Sequence, residues 1–494
     1  MTGPLLLAID QGTSSTKCLV IDKSGSVVAR GQTAVGLSTP QPGWVEQDGL
    51  AIWASVQQAV AVAVTADLAP HVIGIGLSTQ RESCVIWDRQ SGAPLTPVLS
   101  WQDQRTDALC AGLHTGGHGA MVRVRSGLPL DPMFSAAKIS WLLNQIDPDR
   151  SRAAKGDICV GTIDSFLLSR FGGPHVVEAG NASRMQLMNV ARGAYDQDLL
   201  DLFRIPAACL PQIVPSIGPF QAARDLAPLP DGVPILAVLA DSHAALFAHG
   251  AFAPGPVKAT HGTGSSVMGL LDRAATQDGS SLHPGLCVTL AWWTDQPYLA
   301  FEGNIRSAGS TLVWAADLLG VSLDQLAGLA ATVDTASKIH LVPGFNGLGA
   351  PWWDAEAVAT LSGFTIGSGR APVARAALDS IAHQIADLVE AVSASGVTVD
   401  RLHVDGGPTR NNQLMQFEAD MIGLPVHRAE TAELSALGAA HLAGHAAGLF
   451  SLEQLKTLAR NGTTFLPALP MAEREQCRRA WKTAVGRSLA PHNR

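Results

Sequence analysis

The sequence predicts an α/β protein built from two domains with similar layouts. Its 494 residues are more than one hydrophobic core normally holds, and 47% of them are hydrophobic while 15% are charged. Apolar runs of strand length alternate with longer helical patterns, which is typical of α/β layers. A strand, a turn rich in small hydroxyl residues and a second strand occur near residue 5 and again near residue 255. This repetition suggests a duplicated domain, and we expect the chain to divide into 1–248 and 249–494.

The first half opens with this strand–turn–strand pattern and continues as alternating elements. Strands are expected at Leu5–Ile9 and Cys18–Ile21, on either side of the turn, and in the run SVVARGQTAV. A helix should run from about Leu50 to Leu68, before the buried strand HVIGIGLSTQ. DPMFSAAKISWLLNQ has helical spacing, and VPILAVLADSHAALFAHG predicts a buried strand, a polar break at Asp241 and a helix.

The second half repeats the pattern and adds one long helix. FAPGPVKATHGTGSSVMGLLD predicts a strand, a Gly-Thr-Gly-Ser-Ser turn and another strand. RAPVARAALDSIAHQIADLVEAV spaces its apolar residues by three and four, so it predicts an amphipathic helix with Pro372 near the first turn. Further on, a strand should end on Gly406-Gly407, and a helix should open near Asn411.

Charge, cysteine content and hydropathy narrow the class of protein. The net charge of −8 gives no basic footprint for nucleic acid or for an anionic membrane, so neither is expected as a partner. The seven cysteines are scattered without a CxxC pair, which argues against a zinc site and a disulfide framework. The N-terminus lacks the basic and apolar regions of a signal peptide, and no apolar run approaches the ~20 residues of a membrane span. A reducing cytoplasm fits this pattern best.

The turn DQGTSSTK interrupts two strands with a carboxylate and a row of small residues. Glycine and hydroxyl residues let backbone N–H groups approach an anion closely, as a phosphate-binding turn requires. Asp10 cannot bind phosphate itself because like charges repel, but it can hold Mg²⁺, which then bridges to phosphate. Lys17 adds positive charge nearby. The alternative is an ordinary hairpin turn, and a single turn of this kind does not decide between them.

Two further glycine-rich segments support the phosphate interpretation. The turn from Gly262 to Ser265 repeats the first one, and Gly406-Gly407 precedes a helix, so the three segments could form one nucleotide site. Neither the GxxxxGK[ST] pattern nor a GxGxxG after a strand is apparent, which makes P-loop and dinucleotide-binding folds weak candidates.

At this point the sequence resembles a known family. The segments DQGTSSTK, GWVEQD, STQRESCVIWD, MFSAAKISWLL, GTIDSFLL, NASR, HGTGSS, GLGAPWWD and VDGGPTRNNQLMQFEADMIGLPV resemble, in order from about residue 5 to residue 450, the FGGY carbohydrate kinases. The most similar branch looks like the glycerol kinases. The resemblance implies two actin-like (ribonuclease H-like) ATPase domains, with ATP and Mg²⁺ in the cleft between them. It also suggests a homodimer or homotetramer, since family relatives often form them.

The resemblance assigns nucleotide and metal positions residue by residue. Asp10 resembles the metal-associated carboxylate. The positions that look like phosphate and adenosine contacts are Gly12, Thr13, Ser14, Lys17, Thr263, Gly264, Gly309, Gly407 and Asn411.

It also assigns a substrate pocket. Arg81 and Glu82 match a pair that hydrogen-bonds polyol hydroxyls, and Trp101 matches an aromatic wall of the pocket. Asp241 matches the catalytic base, and a carboxylate within reach of the acceptor hydroxyl suits phosphoryl transfer, in which the protein mostly positions charge. Each has a simpler alternative: Asp241 as a helix N-cap, Arg81 and Glu82 as an exposed pair, and Trp101 as core.

Three pocket positions depart from the glycerol kinase pattern. Glycerol kinases usually have Tyr where this chain has Met133, Gln where it has Ser242 and Phe where it has Ser266. Two aromatic faces are therefore missing, and Ser242 and Ser266 leave room for a longer substrate. We therefore expect a four- or five-carbon polyol or ketose, with a true glycerol kinase as the alternative.

Two other classes of protein share part of this pattern. An actin- or chaperone-like ATPase would keep the phosphate turns but would not need Arg81, Glu82, Trp101 or Asp241. A catalytically dead sugar sensor would be expected to lose Asp10 or Asp241, and the chain keeps both. His243, His249 and His261 show no metal-ligand spacing, so core or surface roles are expected for them.

Overall fold

The computed structural model describes residues 3–272, 282–333, 338–431, 433–458 and 460–489. Up to residue 248 the strands and helices are β1 (Leu5–Gln11), β2 (Ser15–Asp22), β3 (Val27–Ala34), β4 (Glu46–Gln47), α1 (Gly49–Ala63), β5 (Val72–Thr79), β6 (Cys84–Asp88), β7 (Val98–Leu99), α2 (Asp107–Thr115), α3 (Gly119–Ser126), α4 (Ser135–Ile146), α5 (Ser151–Lys155), β8 (Ile158–Thr162), α6 (Ile163–Arg170), β9 (Val176–Glu178), α7 (Ala179–Ser183), β10 (Met188–Asn189), β11 (Ala194–Tyr195), α8 (Gln197–Phe203), β12 (Gln212–Val214), β13 (Ile235–Ala240) and α9 (Asp241–Ala248).

After residue 248 the pattern of strands and helices continues. These elements are β14 (Gly255–His261), β15 (Ser265–Leu270), β16 (Cys287–Trp293), β17 (Pro297–Ile305), α10 (Gly309–Leu319), α11 (Leu323–Ala331), β18 (His340–Val342), β19 (Thr360–Ser362), α12 (Arg370–Ala394), β20 (Val399–Gly406), α13 (Asn412–Ile422), β21 (Val426–Ala429), α14 (Leu434–Ala446), α15 (Leu452–Thr457), β22 (Gly462–Phe465) and α16 (Met471–Ser488).

Several element boundaries differ from the sequence-based expectation, and β2 begins at Ser15 rather than at Cys18. The first strand continues past Ile9 because Asp10 and Gln11 pair with both β2 and β5. The first helix ends at Ala63 rather than at Leu68, because Val64 adopts an extended backbone. The apolar run misled the prediction because Val64 stays fully buried in the core after the helix has ended.

Each half of the chain contains a sheet with the same arrangement at its centre. The order is β13-β5-β1-β2-β3 in the first half and β16-β17-β15-β14-β20-β21-β22 in the second. In both sheets, two antiparallel strands joined by a hydroxyl-rich turn lie next to a parallel strand, which is β5 beside β1 and β20 beside β14. The repeat seen in the sequence is therefore a repeat of topology.

A buried apolar cluster joins the two halves. It combines Ala8 and Leu239 of the first sheet with Met268 and Leu270 of the second. The helices α9 and α14 meet backbone to backbone here, because a Cβ added to Gly438 would lie 1.8 Å from the carbonyl oxygen of Ala244. The first turn of α9 is thereby held where the halves meet.

The helices of the chain are mostly too short or too polar to cross a membrane. Within the described ranges, no single helix has the length and apolar composition needed to cross a membrane. The bent pair Gly309–Leu319 and Leu323–Ala331, at 89° to each other, meets that test together by length and composition only.

Candidate active site

The first hydroxyl-rich turn joins β1 to β2 and is braced by side chains from other segments. The Gly12 N–H donates to the carbonyl of Ser15 at 3.0 Å, which closes the turn. Trp101 donates from Nε1 to the Thr13 hydroxyl at 2.9 Å, and Gln47 donates to the Thr13 carbonyl at 2.9 Å. Ser14 is exposed at the tip. The predicted pocket residue Trp101 thus also supports the predicted phosphate turn.

Gln80 is the centre of a buried amide network beneath this turn. Its Nε2 donates to the side-chain oxygens of Gln11 and Gln47, at 3.0 Å each. Its Oε1 accepts from the Ser83 hydroxyl at 2.8 Å. All four side chains are at least 97% buried. The network ties the turn to the segment that carries Arg81.

Asp10 lies at the end of β1, where its carboxylate is only partly compensated. The Ser78 hydroxyl donates to it at 3.0 Å, and Lys17 is its partner on the neighbouring strand. Burial, together with the charge of nearby Asp241, raises the pKa of Asp10 to about 7. Repulsion between these two carboxylates favours a cation beside Asp10.

The surroundings of Asp10 fit one kind of Mg²⁺ site. In the part of the chain that the structure describes, no group of three or more His, Cys, Asp or Glu side chains could hold a metal. Mg²⁺ is usually bound by one or two carboxylates plus water and substrate phosphates, rather than by a cage of protein ligands. Asp10, with its partly uncompensated charge, fits that kind of site.

The second hydroxyl-rich turn joins β14 to β15 and is braced mainly by backbone. Ala308 donates to the Thr263 carbonyl at 2.8 Å, and Gly309 donates to the Gly262 carbonyl at 2.9 Å. A Cβ on Gly264 would lie 2.2 Å from the carbonyl oxygen of Ile305, so only glycine fits there. The N-terminus of α10 therefore packs directly against this turn.

The third glycine-rich segment lies beside the second turn. Gly406 has φ = 101°, and a Cβ there would lie 2.0 Å from the His261 carbonyl oxygen. Gly407 is exposed, with open space where a side chain would be. The Asn411 side-chain oxygen accepts from the Leu414 N–H at 3.0 Å and caps α13. The structure thus brings the predicted second-half nucleotide positions together.

Asp241 is the first residue of α9 and faces the space between the halves. Ala240 is the N-cap, so the cap prediction for Asp241 misses by one position, although its carboxylate does accept from the Ser242 N–H at 2.6 Å. The side chain is 35% exposed, and Arg81 Nε lies 3.3 Å from Oδ1. Burial raises the pKa of Asp241, while the charge of Arg81 acts in the opposite direction.

Arg81 and Glu82 belong to a buried cluster of charges. Arg81 donates both terminal nitrogens to Glu302, at 2.8 Å each, and Glu82 accepts from Arg184 Nε at 2.6 Å. Arg81 is 8% exposed and Glu82 4%, which excludes the exposed-pair alternative. Although burial opposes ionisation, the charges of Arg184 and Arg81 hold the pKa of Glu302 well below its usual range.

Sequence reasoning missed Glu302 and Arg184, which complete this cluster. Both are fully buried, and Arg184 NH1 lies 2.8 Å from Glu302. A signal was present, because Glu302 is an acidic residue within the apolar strand run YLAFEGNI, and charges in such positions must be paired.

Two of the three positions that depart from the glycerol kinase pattern lie beside this cluster. Ser266 donates to Glu302 at 3.2 Å, and Ser242 follows Asp241 on α9. Met133 precedes α4 and packs against a small apolar cluster that contains Leu128, Phe134 and Cys287. Ser242 and Ser266 thus lie next to the predicted base and the Arg81 pair.

Comparison with protein families identifies the group to which the chain belongs. The model of the FGGY carbohydrate kinase N-terminal domain matches residues 5–248, and that of the C-terminal domain matches residues 257–447. The chain belongs to the FGGY family of carbohydrate kinases.

Individual relatives and solved structures extend this finding. An apulose kinase from Pectobacterium atrosepticum is 40% identical over 496 residues, which cover 99% of each chain. A glycerol kinase from Rhodospirillum centenum is 41% identical, with 98% of each chain covered. The crystal structure of Plasmodium falciparum glycerol kinase with ADP is 27% identical and superposes with a TM-score of 0.90 over 99% of each chain.

The family membership confirms the main predictions from the sequence. This FGGY kinase has the two-domain actin-like (ribonuclease H-like) fold. It is a phosphotransferase that acts on an alcohol group of a small sugar or polyol, and its family implies ATP as a substrate. The alternative of an ATPase without sugar transfer is therefore set aside.

Proposed function

We propose that this FGGY kinase transfers the γ-phosphate of ATP to a hydroxyl of a four- or five-carbon polyol or ketose, with Asp241 as the general base. The observation that carries the proposal is the environment of Asp241. Its carboxylate is open to solvent in the space between the halves, contacts Arg81, and is close enough to Asp10 to raise the pKa of that carboxylate.

The transfer requires one proton to leave the acceptor hydroxyl. Asp241 accepts this proton while the hydroxyl oxygen forms a bond to the γ-phosphorus, and the bond from that phosphorus to the ADP oxygen breaks. Arg81 keeps the base oriented through its 3.3 Å contact, and Glu302 in turn holds Arg81 by two hydrogen bonds. The acceptor hydroxyl would lie beside Asp241.

The ATP phosphates are proposed to lie between the two turns. Backbone and hydroxyl donors of Gly12, Thr13 and Ser14 would approach from one half, with Lys17 nearby, and those of Thr263 and Gly264 from the other. Gly309, Gly407 and Asn411 would contact the nucleoside side. Asp10 would hold Mg²⁺, which neutralises phosphate charge during transfer.

The substrate is proposed to be longer than glycerol because of the side chains around the charge cluster. Arg81, Glu82 and Trp101 would bind the part of the substrate near the reacting hydroxyl. Ser242 and Ser266 are small and polar, and Met133 replaces an aromatic side chain, so the pocket would admit further carbons and hydroxyls. The relative from Pectobacterium atrosepticum is named for a substrate other than glycerol, apulose.

A true glycerol kinase is the second candidate. It is favoured by glycerol kinases that match 97–98% of this chain at 38–42% identity. Such relatives are about as similar to this chain as the apulose kinase is, so overall identity does not separate the two candidates.

A coupled ADP assay that compares glycerol, erythritol, erythrulose, ribulose, xylulose and apulose will identify the preferred substrate. We expect kcat/KM for one of the longer substrates to exceed that for glycerol by at least about tenfold, since one carbon in a fitted pocket is worth about 1–3 kcal/mol. The double variant Met133→Tyr, Ser266→Phe should shift the preference toward glycerol. A wild-type preference for glycerol would support the second candidate.

Besides the site residues and Mg²⁺, three sequence-based predictions stay predictions. They are the division of the chain at residues 248 and 249, a homodimer or homotetramer, and a cytoplasmic location.

A further inference from the structure

The strand β17 presents one polar face to the first half of the chain. Along this strand Phe301 and Ile305 enter the core of the second half. Side chains alternate between the faces of a strand, so Glu302 and Asn304 point the other way. Glu302 confirms this direction, since it bonds Arg81 and Arg184 of the first half. Asn304 therefore faces the same space between the halves, about 7 Å further along the strand.

Asn304 lies between two ion pairs that cross from one half to the other. On one side is the pair Arg81–Glu302, and on the other Arg306 contacts Asp131 at 3.0 Å. Asp131 also accepts from the backbone N–H of Met133 at 2.9 Å, which places this second pair next to the proposed pocket. The space in front of Asn304 is thus bounded at both ends by fixed charges.

The side-chain amide nitrogen of Asn304 is a buried donor. Among the described residues it has no hydrogen-bond partner. Ser266 is the cross-strand neighbour of Asn304, and its hydroxyl donates to Glu302, which leaves its oxygen free to accept. A buried donor without a partner costs about 1–3 kcal/mol, and such a group in a native protein usually has a ligand or a water as its partner.

We propose that Asn304 and Ser266 form a subsite that binds a hydroxyl or carbonyl oxygen of the substrate, beyond the hydroxyls at Arg81 and Asp241. The Asn304 amide donates to this oxygen, and the Ser266 oxygen accepts from a substrate hydroxyl. A three-carbon substrate held at Asp241 leaves this subsite empty, whereas a four- or five-carbon substrate reaches it. The inference rests on the proposed function and deepens it, because it names the contact that selects the longer substrate.

The subsite is tested by the variant Asn304→Ala, with kinetics on glycerol and on the best longer substrate of the wild-type enzyme. We expect kcat/KM for the longer substrate to fall by about tenfold, as for loss of one buried hydrogen bond, while that for glycerol changes by less than about twofold. Asn304→Ser, which keeps a donor, should recover part of the loss. Asn461→Ala is the control, because Asn461 is exposed ahead of β22.

The possible outcomes separate this inference from the proposed function. A wild-type preference for glycerol overturns the proposed function, and the subsite with it. If the wild type prefers a longer substrate but Asn304→Ala lowers activity equally on both substrates, Asn304 supports the fold and the subsite is wrong. Unchanged kinetics on both substrates also contradict the subsite, and they would mean that a water satisfies the amide.

Discussion

The two hydroxyl-rich turns have the same strand–turn–strand layout but are held in place by different means. In the first half, side chains brace the turn: Trp101 and Gln47 bond Thr13, and Gln47 bonds Gln80 in turn. In the second half, close backbone packing braces the turn, with glycines where any side chain would clash with a carbonyl oxygen. The same central strand arrangement therefore places the two turns against different neighbouring segments.

Each turn is tied to a different part of the proposed site. The first turn connects through Gln80 to Arg81, and therefore to the sugar side. The second turn connects through His261, which bonds Glu418 of α13 at 3.2 Å, to the segment proposed to contact adenosine. We expect substitutions behind the first turn to change the kinetic constants for both ATP and the sugar. Substitutions behind the second turn should change those for ATP alone.

The largest effect is expected at Asp241, which is proposed to lie between the ATP site and the sugar site. Asp241→Asn removes the proposed base but keeps the size of the side chain, so phosphoryl transfer should fall by roughly 10²- to 10⁴-fold. ATP affinity, measured by calorimetry, should stay within about threefold of wild type, since a base in this position does not contact the phosphates. Near wild-type turnover would show that another group takes the proton.

The next effect is expected from the second turn. Gly264→Ala places a methyl group against the Ile305 carbonyl, and overpacking of this kind costs about 1–3 kcal/mol, so kcat/KM for ATP should fall by up to about 100-fold. The KM for the sugar should change little. Gly328→Ala is the control, because nothing lies within 4 Å of the added methyl group. A loss shared equally by both substrates would contradict the separation of the two turns.

A smaller effect on both substrates is expected from the amide network. Gln80→Leu keeps the volume but removes the bonds that Gln80 makes to the side-chain oxygens of Gln11 and Gln47 and to the Ser83 hydroxyl, at a cost of about 1–3 kcal/mol. We expect KM for ATP and for the sugar to rise together, by about tenfold each, whereas Gln90→Leu at an exposed position should change neither. If only the sugar KM rises, the network supports the pocket but not the turn.

The smallest effect is expected from the contact behind the second turn. Glu418→Gln weakens the bond to His261 without changing shape, and about 1 kcal/mol corresponds to a three- to fivefold rise in KM for ATP. Steady-state kinetics should show no change in KM for the sugar. A rise in the sugar KM alone would reverse the assignment of the two turns.

The sequence predicted those features that depend on local pattern. Strand–turn–strand repeats, the break at Asp241 and the long helix with Pro372 in its first turn all follow from periodicity and from glycine, proline and carboxylate positions. The end of α1 was misjudged because the apolar run continues after the helix, and burial rather than helix formation accounts for that run.

The features that the sequence did not predict depend on contacts between distant segments. Arg81 was open to interpretation as exposed, because its partner Glu302 is 221 residues away. Arg184 and the link from Gln80 to Gln11 were missed for the same reason, since no local spacing connects them. The unpartnered amide of Asn304 likewise becomes visible only when the two ion pairs on either side of it are in place.

The central claim is that ATP lies between the two turns with the acceptor hydroxyl beside Asp241. The most direct test is a crystal structure with a non-hydrolysable ATP analogue, Mg²⁺ and the preferred sugar. The account predicts phosphate oxygens in contact with both Thr13 and Thr263, and a substrate hydroxyl within about 3.2 Å of the Asp241 carboxylate. Phosphates that contact only one turn, or a hydroxyl held away from Asp241, would contradict it.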